Sequence, residues 1–88
     1  MDELAADAGI SRFRLTRAFV AAHGLPPHAY LLSVRLNAAR QRLAAGEAAA
    51  DVAASCGFTD QAHLTREFRR RFGTTPGTYR RAARNHVD

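Results

Sequence analysis

The chain contains an approximate copy of itself, and this repeat limits the fold more than any other feature. A shift of 49 positions lays Leu15 on Leu64, Thr16 on Thr65, Arg17 on Arg66 and Phe19 on Phe68. The same shift lays Gly24 on Gly73, Pro27 on Pro76 and Tyr30 on Tyr79. Before the turn the offset falls to 48, pairing Ala5 with Ala53 and Gly9 with Gly57, so one residue has been added at Thr59-Asp60 opposite Ser11. Self-similarity at a fixed spacing marks duplication of one supersecondary unit. Two copies are too few to stack as a solenoid, which leaves a tandem pair.

Each copy reads as helix, glycine turn, helix, glycine, proline-initiated helix. In the first, Asp2 to Ala8 is a short helix with Leu4, Ala5 and Ala8 on one side, ended by Gly9. Ile10 anchors the turn and Ser11 caps a helix from Arg12 to about His23. At ~100° per residue, Leu15, Ala18, Phe19 and Ala22 form its inner stripe, while Phe13, Thr16, Arg17 and Val20 form the outer one. An aromatic and an arginine facing outward near the start of a helix that follows a tight turn is the pattern of a recognition helix. The plainer reading is a solvated outer face, and Phe13 discriminates between the two because a lone exposed Phe costs solubility.

Pro26-Pro27 opens a long helix, His28 to Ala45, with Leu32, Leu36, Ala39 and Leu43 in register and Gly46 as its stop. From Pro27 it spans roughly 28 Å, close to the ~34 Å between successive major grooves on one face of B-DNA. Asp51 to Cys56 gives the second short helix, with Val52, Ala53 and Cys56 inward, and Gly57-Phe58 the turn. Thr59 or Asp60 caps a helix from Gln61 to Phe72, whose inner stripe is Leu64, Phe68 and Phe72. Its outer stripe is Ala62, Thr65, Arg66 and Arg69, flanked by Gln61 and His63. After Gly73, Thr75-Pro76 starts a last helix to about Arg84. No alternating β-branched run predicts a strand. The fold class is therefore all-α: two helix-turn-helix subdomains joined by a long linker helix. The divisions are 1–24, 25–46 and 47–88, within the 88 residues of a single small domain or two sharing a helix.

All thirteen basic residues are arginine, and the formal net charge is +5. Acidic Asp2, Glu3 and Asp7 open the chain, whereas Arg66, Arg69, Arg70, Arg71, Arg80, Arg81 and Arg84 crowd its last third. Such clustering points to a polyanion partner; a GC-rich coding bias explains the missing lysine but not the clustering. Cys56 is single, which excludes a disulfide framework, predicts a reducing cytoplasmic setting and reads as a packed small residue. No apolar run suits a membrane span, and the acidic first residues do not read as a signal peptide. His23, His28, His63 and His86 lack zinc spacing and neighbouring carboxylates or thiols, so neither a metal, nor a cofactor, nor catalysis is predicted.

The segment GFTDQAHLTREFRRRFGTTPGTYR, with LAADAGISRFRLTRAF, Gly24, Pro27, Tyr30 and the Arg35-Leu36 to Ala39 stretch before it, resembles the C-terminal DNA-binding domain of the AraC/XylS family of bacterial transcription regulators. The likeness runs from about Leu4 to Arg81. It implies two recognition helices, Arg12 to His23 and Gln61 to Phe72, entering adjacent major-groove segments of double-stranded DNA. By motif position the base-edge readers are Phe13, Thr16, Arg17, Gln61, Ala62 and Arg66, and the backbone contacts Arg12, His63, Thr65, Arg69, Arg70 and Arg80. The chemistry fits: Arg17 and Arg66 can each grip guanine O6 and N7, Gln61 can pair with adenine, and Phe13 can pack on a thymine methyl. The resemblance also implies nucleoid association, RNA polymerase as a further partner, and a ligand-sensing domain in a longer form. Relatives carry an additional helix before the LAADAG segment, and Ala49 stands where they favour a larger aliphatic. The rival readings are a protein-interaction module derived from helix-turn-helix units and a non-specific polyanion binder.

Overall fold

The computed structural model describes residues 11–85. The short helix expected over Asp2 to Ala8, with the Gly9-Ile10 turn and His86, lies outside the described residues. Five helices follow one another: α1 (Arg12–His23), α2 (Pro27–Ala44), α3 (Ala49–Ser55), α4 (Gln61–Phe72) and α5 (Pro76–Asn85). The described residues contain no strand. The chain divides into two compact units within α2, one ending at Ser33 and the other beginning at Val34.

In the first unit, α1 starts where the Ser11 hydroxyl accepts the Arg14 amide (3.1 Å) and ends at Gly24, whose φ of 82° few side chains tolerate. Phe19, His23 and Tyr30 form a ring cluster, with centroid separations of 4.3 Å for Phe19–His23 and 5.5 Å for Phe19–Tyr30. Leu15, Thr16 and Phe19 are half-buried, whereas Ala18 and Ala22 are exposed. This corrects the expected inner stripe. The covered side of α1 is rotated toward Thr16, which leaves the two alanines on its exposed margin. No α1 residue is fully buried.

The second unit holds the buried core. Leu36, Ala39 and Leu43 of α2, Val52 and Ala53 of α3, and Leu64 and Phe68 of α4 are buried, as are Cys56 and Phe58 in the turn between α3 and α4. Burial pushes the Cys56 thiol above its usual range, nearby Arg42 opposing and Glu47 adding to the shift. It is the packed residue that was expected. The turn itself requires glycine. At Gly57, φ is +85°, and a Cβ there would lie 2.9 Å from Arg35 Nε. α5 is held by Tyr79, whose ring meets Phe68 edge-on at 5.6 Å, and by Arg80, whose Nε donates to the Gly46 carbonyl at 2.9 Å.

The duplication survives in the packing. Phe68–Phe72 rings stand 4.6 Å apart and Phe68–Tyr79 5.6 Å, closely matching Phe19–His23 and Phe19–Tyr30 in the other unit. Two helix bounds, α1 and α4, fall where the cap residues put them. The second short helix starts earlier than expected, at Ala49 instead of Asp51, and the reason is chemical: its N-cap is Ala48, whose methyl has no hydrogen-bonding group to signal a start. Ala48 already has the extended cap conformation (φ −69°, ψ 145°) but makes no side-chain cap hydrogen bond. Ala48→Ser is therefore expected to stabilise the second unit by about 0.5–2 kcal/mol. Chemical denaturation checks this: an unchanged or lowered midpoint would show the cap position to be mis-assigned.

Candidate nucleic-acid interface

The α4 face is built by its start. The Asp60 carboxylate accepts the His63 amide at 2.8 Å, and the Thr59 amide donates to His63 Nδ1 at 3.3 Å. The His63 ring meets Phe58, itself buried, at 5.2 Å. Turn and first helical turn are thus tied together from both sides of His63. Because Nδ1 accepts a hydrogen bond, the neutral ring carries its proton on Nε2.

From this fixed start, Leu64 and Phe68 turn into the core at 0% exposure, and Ala62, Arg66, Arg69 and Arg70 turn out of it. Those four are exposed at i, i+4, i+7 and i+8, one stripe of the helix. Gln61, the first helical residue, is exposed beside them, and Thr65 and His63 are half-buried at its edges. Arg66 and Arg69 make no side-chain hydrogen bond or ion pair with the described residues. Arg70 pairs with Glu67 at 3.3 Å. Glu67 was not singled out from the sequence, although its three-residue spacing to Arg70 is the signal that would have found it.

On α1, Phe13 is 67% exposed and the Arg17 guanidinium lies over its ring, 5.5 Å from the centroid. This pair gives the exposed Phe a partner, because a ring face attracts a cation at this distance. Arg12 is exposed next to it and Thr16 half-buried beneath. Arg14 shares a shallow depression with Arg17 and Ala18. It too escaped the sequence reading, although it lies three residues before Arg17. Arg80, expected among the outward arginines, is half-buried and commits Nε to the Gly46 carbonyl, so it also secures the end of α2.

The expected site residues therefore gather into two separate sets, one on each unit. Phe13, Thr16, Arg17 and Arg12 belong to the first, and Gln61, Ala62, His63, Thr65, Arg66, Arg69, Arg70 and Arg80 to the second. Among the described residues, no group of His, Cys, Asp or Glu side chains is arranged to hold a metal ion. No helix described is long and apolar enough to cross a membrane.

Comparison with known proteins shows the family of the chain. The helix-turn-helix domain family matches residues 4–82. The transcriptional activator NphR of Rhodococcus sp is 39% identical over 82 residues, covering 92% of this chain and 24% of that protein. The chain thus spans about a quarter of the length of that curated relative. Among solved structures, the DNA-binding domain of AdpA, crystallised in complex with a target DNA, superposes with a TM-score of 0.83 at 34% identity, covering 96% of this chain and 77% of that one. An AraC-type regulator from Chromobacterium violaceum gives a TM-score of 0.77 at 32% identity, covering 98% of this chain and 78% of the other. With the repeat, the capped helices and these likenesses in agreement, the chain belongs to the helix-turn-helix family of AraC-type DNA-binding domains.

Proposed function

We propose that this chain binds double-stranded DNA in a sequence-dependent way, as the DNA-binding part of a transcription regulator. The observation that carries the proposal is the α4 stripe of Ala62, Arg66, Arg69 and Arg70, exposed on a helix whose opposite face is locked into the core. A rigid helix with an exposed cationic face can enter a major groove without losing its own packing. The likeness to a domain solved on its target DNA supports the same reading.

In this proposal α1 and α4 are recognition helices in adjacent major-groove segments, and α2 connects them. Phe13, Thr16, Arg17, Gln61, Ala62 and Arg66 meet base edges. Arg12, His63, Thr65, Arg69, Arg70 and Arg80 meet the phosphate backbone, the charge of Arg80 remaining available although its Nε is engaged. The finer proposals are a cytoplasmic, nucleoid-associated location, contact with RNA polymerase, and a sensor domain in a longer form. No catalytic role is proposed.

Selecting bound duplexes from a random pool tests the reading, and Arg66→Ala tests the assignment. The unaltered chain is expected to enrich a defined sequence; a pool that stays random after selection would remove the proposal. Arg66→Ala is expected to cost about 1–3 kcal/mol of discrimination at one or two base positions and little elsewhere. An equal loss on every duplex would move Arg66 to the phosphates.

A further inference from the structure

The register that overlays the two units also shows where they have diverged. Continued through α1 and α4, it lays Val20 on Arg69, Ala21 on Arg70 and Ala22 on Arg71. Continued through the proline-initiated helices, it lays Leu31 on Arg80 and Leu32 on Arg81. At five matched positions the second unit has arginine and the first has an aliphatic residue. The backbone is the same at these places: each 12-residue helix ends on a left-handed glycine, with φ of 82° at Gly24 and 78° at Gly73. Four of the five first-unit positions are exposed, and Leu32 is half-buried. Val20 is 36% and Leu31 46% exposed, and Ala21 and Ala22 are also exposed. At the helix starts the register lays Arg12 on Gln61, Phe13 on Ala62 and Arg14 on His63, and directly after them the two helices agree. Arg17 matches Arg66, Thr16 matches Thr65, and both arginines are exposed.

We infer that the two units contribute unequally to binding: the second unit adds most of the phosphate grip to its own base readers, whereas the first, with Arg12 and Arg14 as its further charges, leans on base discrimination. The inference rests on the DNA-binding reading above and assigns its parts. Phosphate contacts set affinity and salt dependence without carrying sequence information, and base-edge contacts do the reverse. A helix that keeps its reading residues while exchanging the arginines of its C-terminal half for Val and Ala retains discrimination and loses grip. Phe13 and Arg17 hold each other by a cation–ring contact, which needs no phosphate to orient it.

The test exchanges the divergent residues in the 88-residue chain: Arg69→Val, Val20→Arg and Phe13→Ala. Affinity is measured from 50 to 200 mM salt on a selected duplex and on a scrambled one. All three positions are exposed, and circular dichroism checks that each variant keeps its helix content. Arg69→Val is expected to lower the slope of log affinity against log salt by about 0.9 on both duplexes, the effect of one phosphate contact. Val20→Arg is expected to raise it by about the same amount. Phe13→Ala is expected to leave the slope unchanged and to shrink the ratio between the duplexes. The inference is overturned if Arg69→Val leaves the slope intact, or if Phe13→Ala lowers it as much as Arg69→Val does. These outcomes differ from failure of the DNA-binding reading, in which the unaltered chain would not distinguish the duplexes at all.

Discussion

Phe68→Ala is expected to unfold the second unit. The ring is fully buried and is the largest of the completely enclosed side chains. It touches both halves of the unit's aromatic cluster, Phe72 at 4.6 Å and Tyr79 at 5.6 Å. Truncating such a residue costs about 3–5 kcal/mol, the transfer term plus the cavity left behind. A unit this small is held by only a few kcal/mol in total. Loss of Phe68 therefore consumes most of the margin. Thermal unfolding followed by circular dichroism is expected to show lost helix at room temperature, with α3 to α5 losing hydrogen-exchange protection together. The matched change in the first unit, Phe19→Ala, is expected to cost less, because Phe19 is only half-buried. A Phe68→Ala chain that melts within a few degrees of the parent would mean that the core is held elsewhere.

How much of this arrangement can be read from residues alone depends on how local its cause is. The bounds of α1 and α4 were legible because Ser11, Asp60, Gly24 and Gly73 act on neighbours three or four residues away. Three members of the α4 outer stripe, Ala62, Arg66 and Arg69, were legible for a similar reason, because Leu64 and Phe68 are bulky enough to define the buried side, whereas Thr65 is half-buried and Arg70 takes its place. In α1 the same reasoning misplaced Ala18 and Ala22. Alanine is apolar yet small, so a helical wheel counts it as interior whether or not anything covers it. The early start of α3 was hidden because Ala48 caps by backbone shape alone. Contacts between distant residues were hidden altogether. Nothing local marks Arg80 as the donor to Gly46, 34 residues earlier, or places Arg35 against Gly57. The candidate site was thus legible as a list of residues and not as a set of engagements. The structure adds that Arg17 lies over the Phe13 ring, Arg70 is paired and Arg80 partly spent, while the Arg66 and Arg69 side chains pair with none of the described residues.

Raising salt from 50 to 200 mM is expected to weaken DNA binding about a thousandfold. The expectation follows from neutralising on the order of six phosphates, each contributing about 0.9 to the logarithmic slope. The arginines are numerous enough to supply them. Arg69, Arg70, Arg71, Arg81 and Arg84 are exposed in the second unit, and Arg80, though half-buried, retains its charge. Arg12 and Arg14 are exposed in the first unit. Pairing with Glu67 reduces the share of Arg70 only slightly. The Arg70–Glu67 bridge leaves Arg70 largely exposed, and an exposed ion pair of this kind contributes at most about 1 kcal/mol, less than a phosphate contact can replace. The loss is expected on selected and scrambled duplexes alike, because counterion release does not depend on sequence, so their ratio is expected to change far less than either affinity. Fluorescence anisotropy across a salt series measures both quantities at once. Affinity that hardly changes with salt would mean that the exposed arginines face no polyanion, and the chain would then be read as a docking module in which Phe13 and Val20 carry the binding.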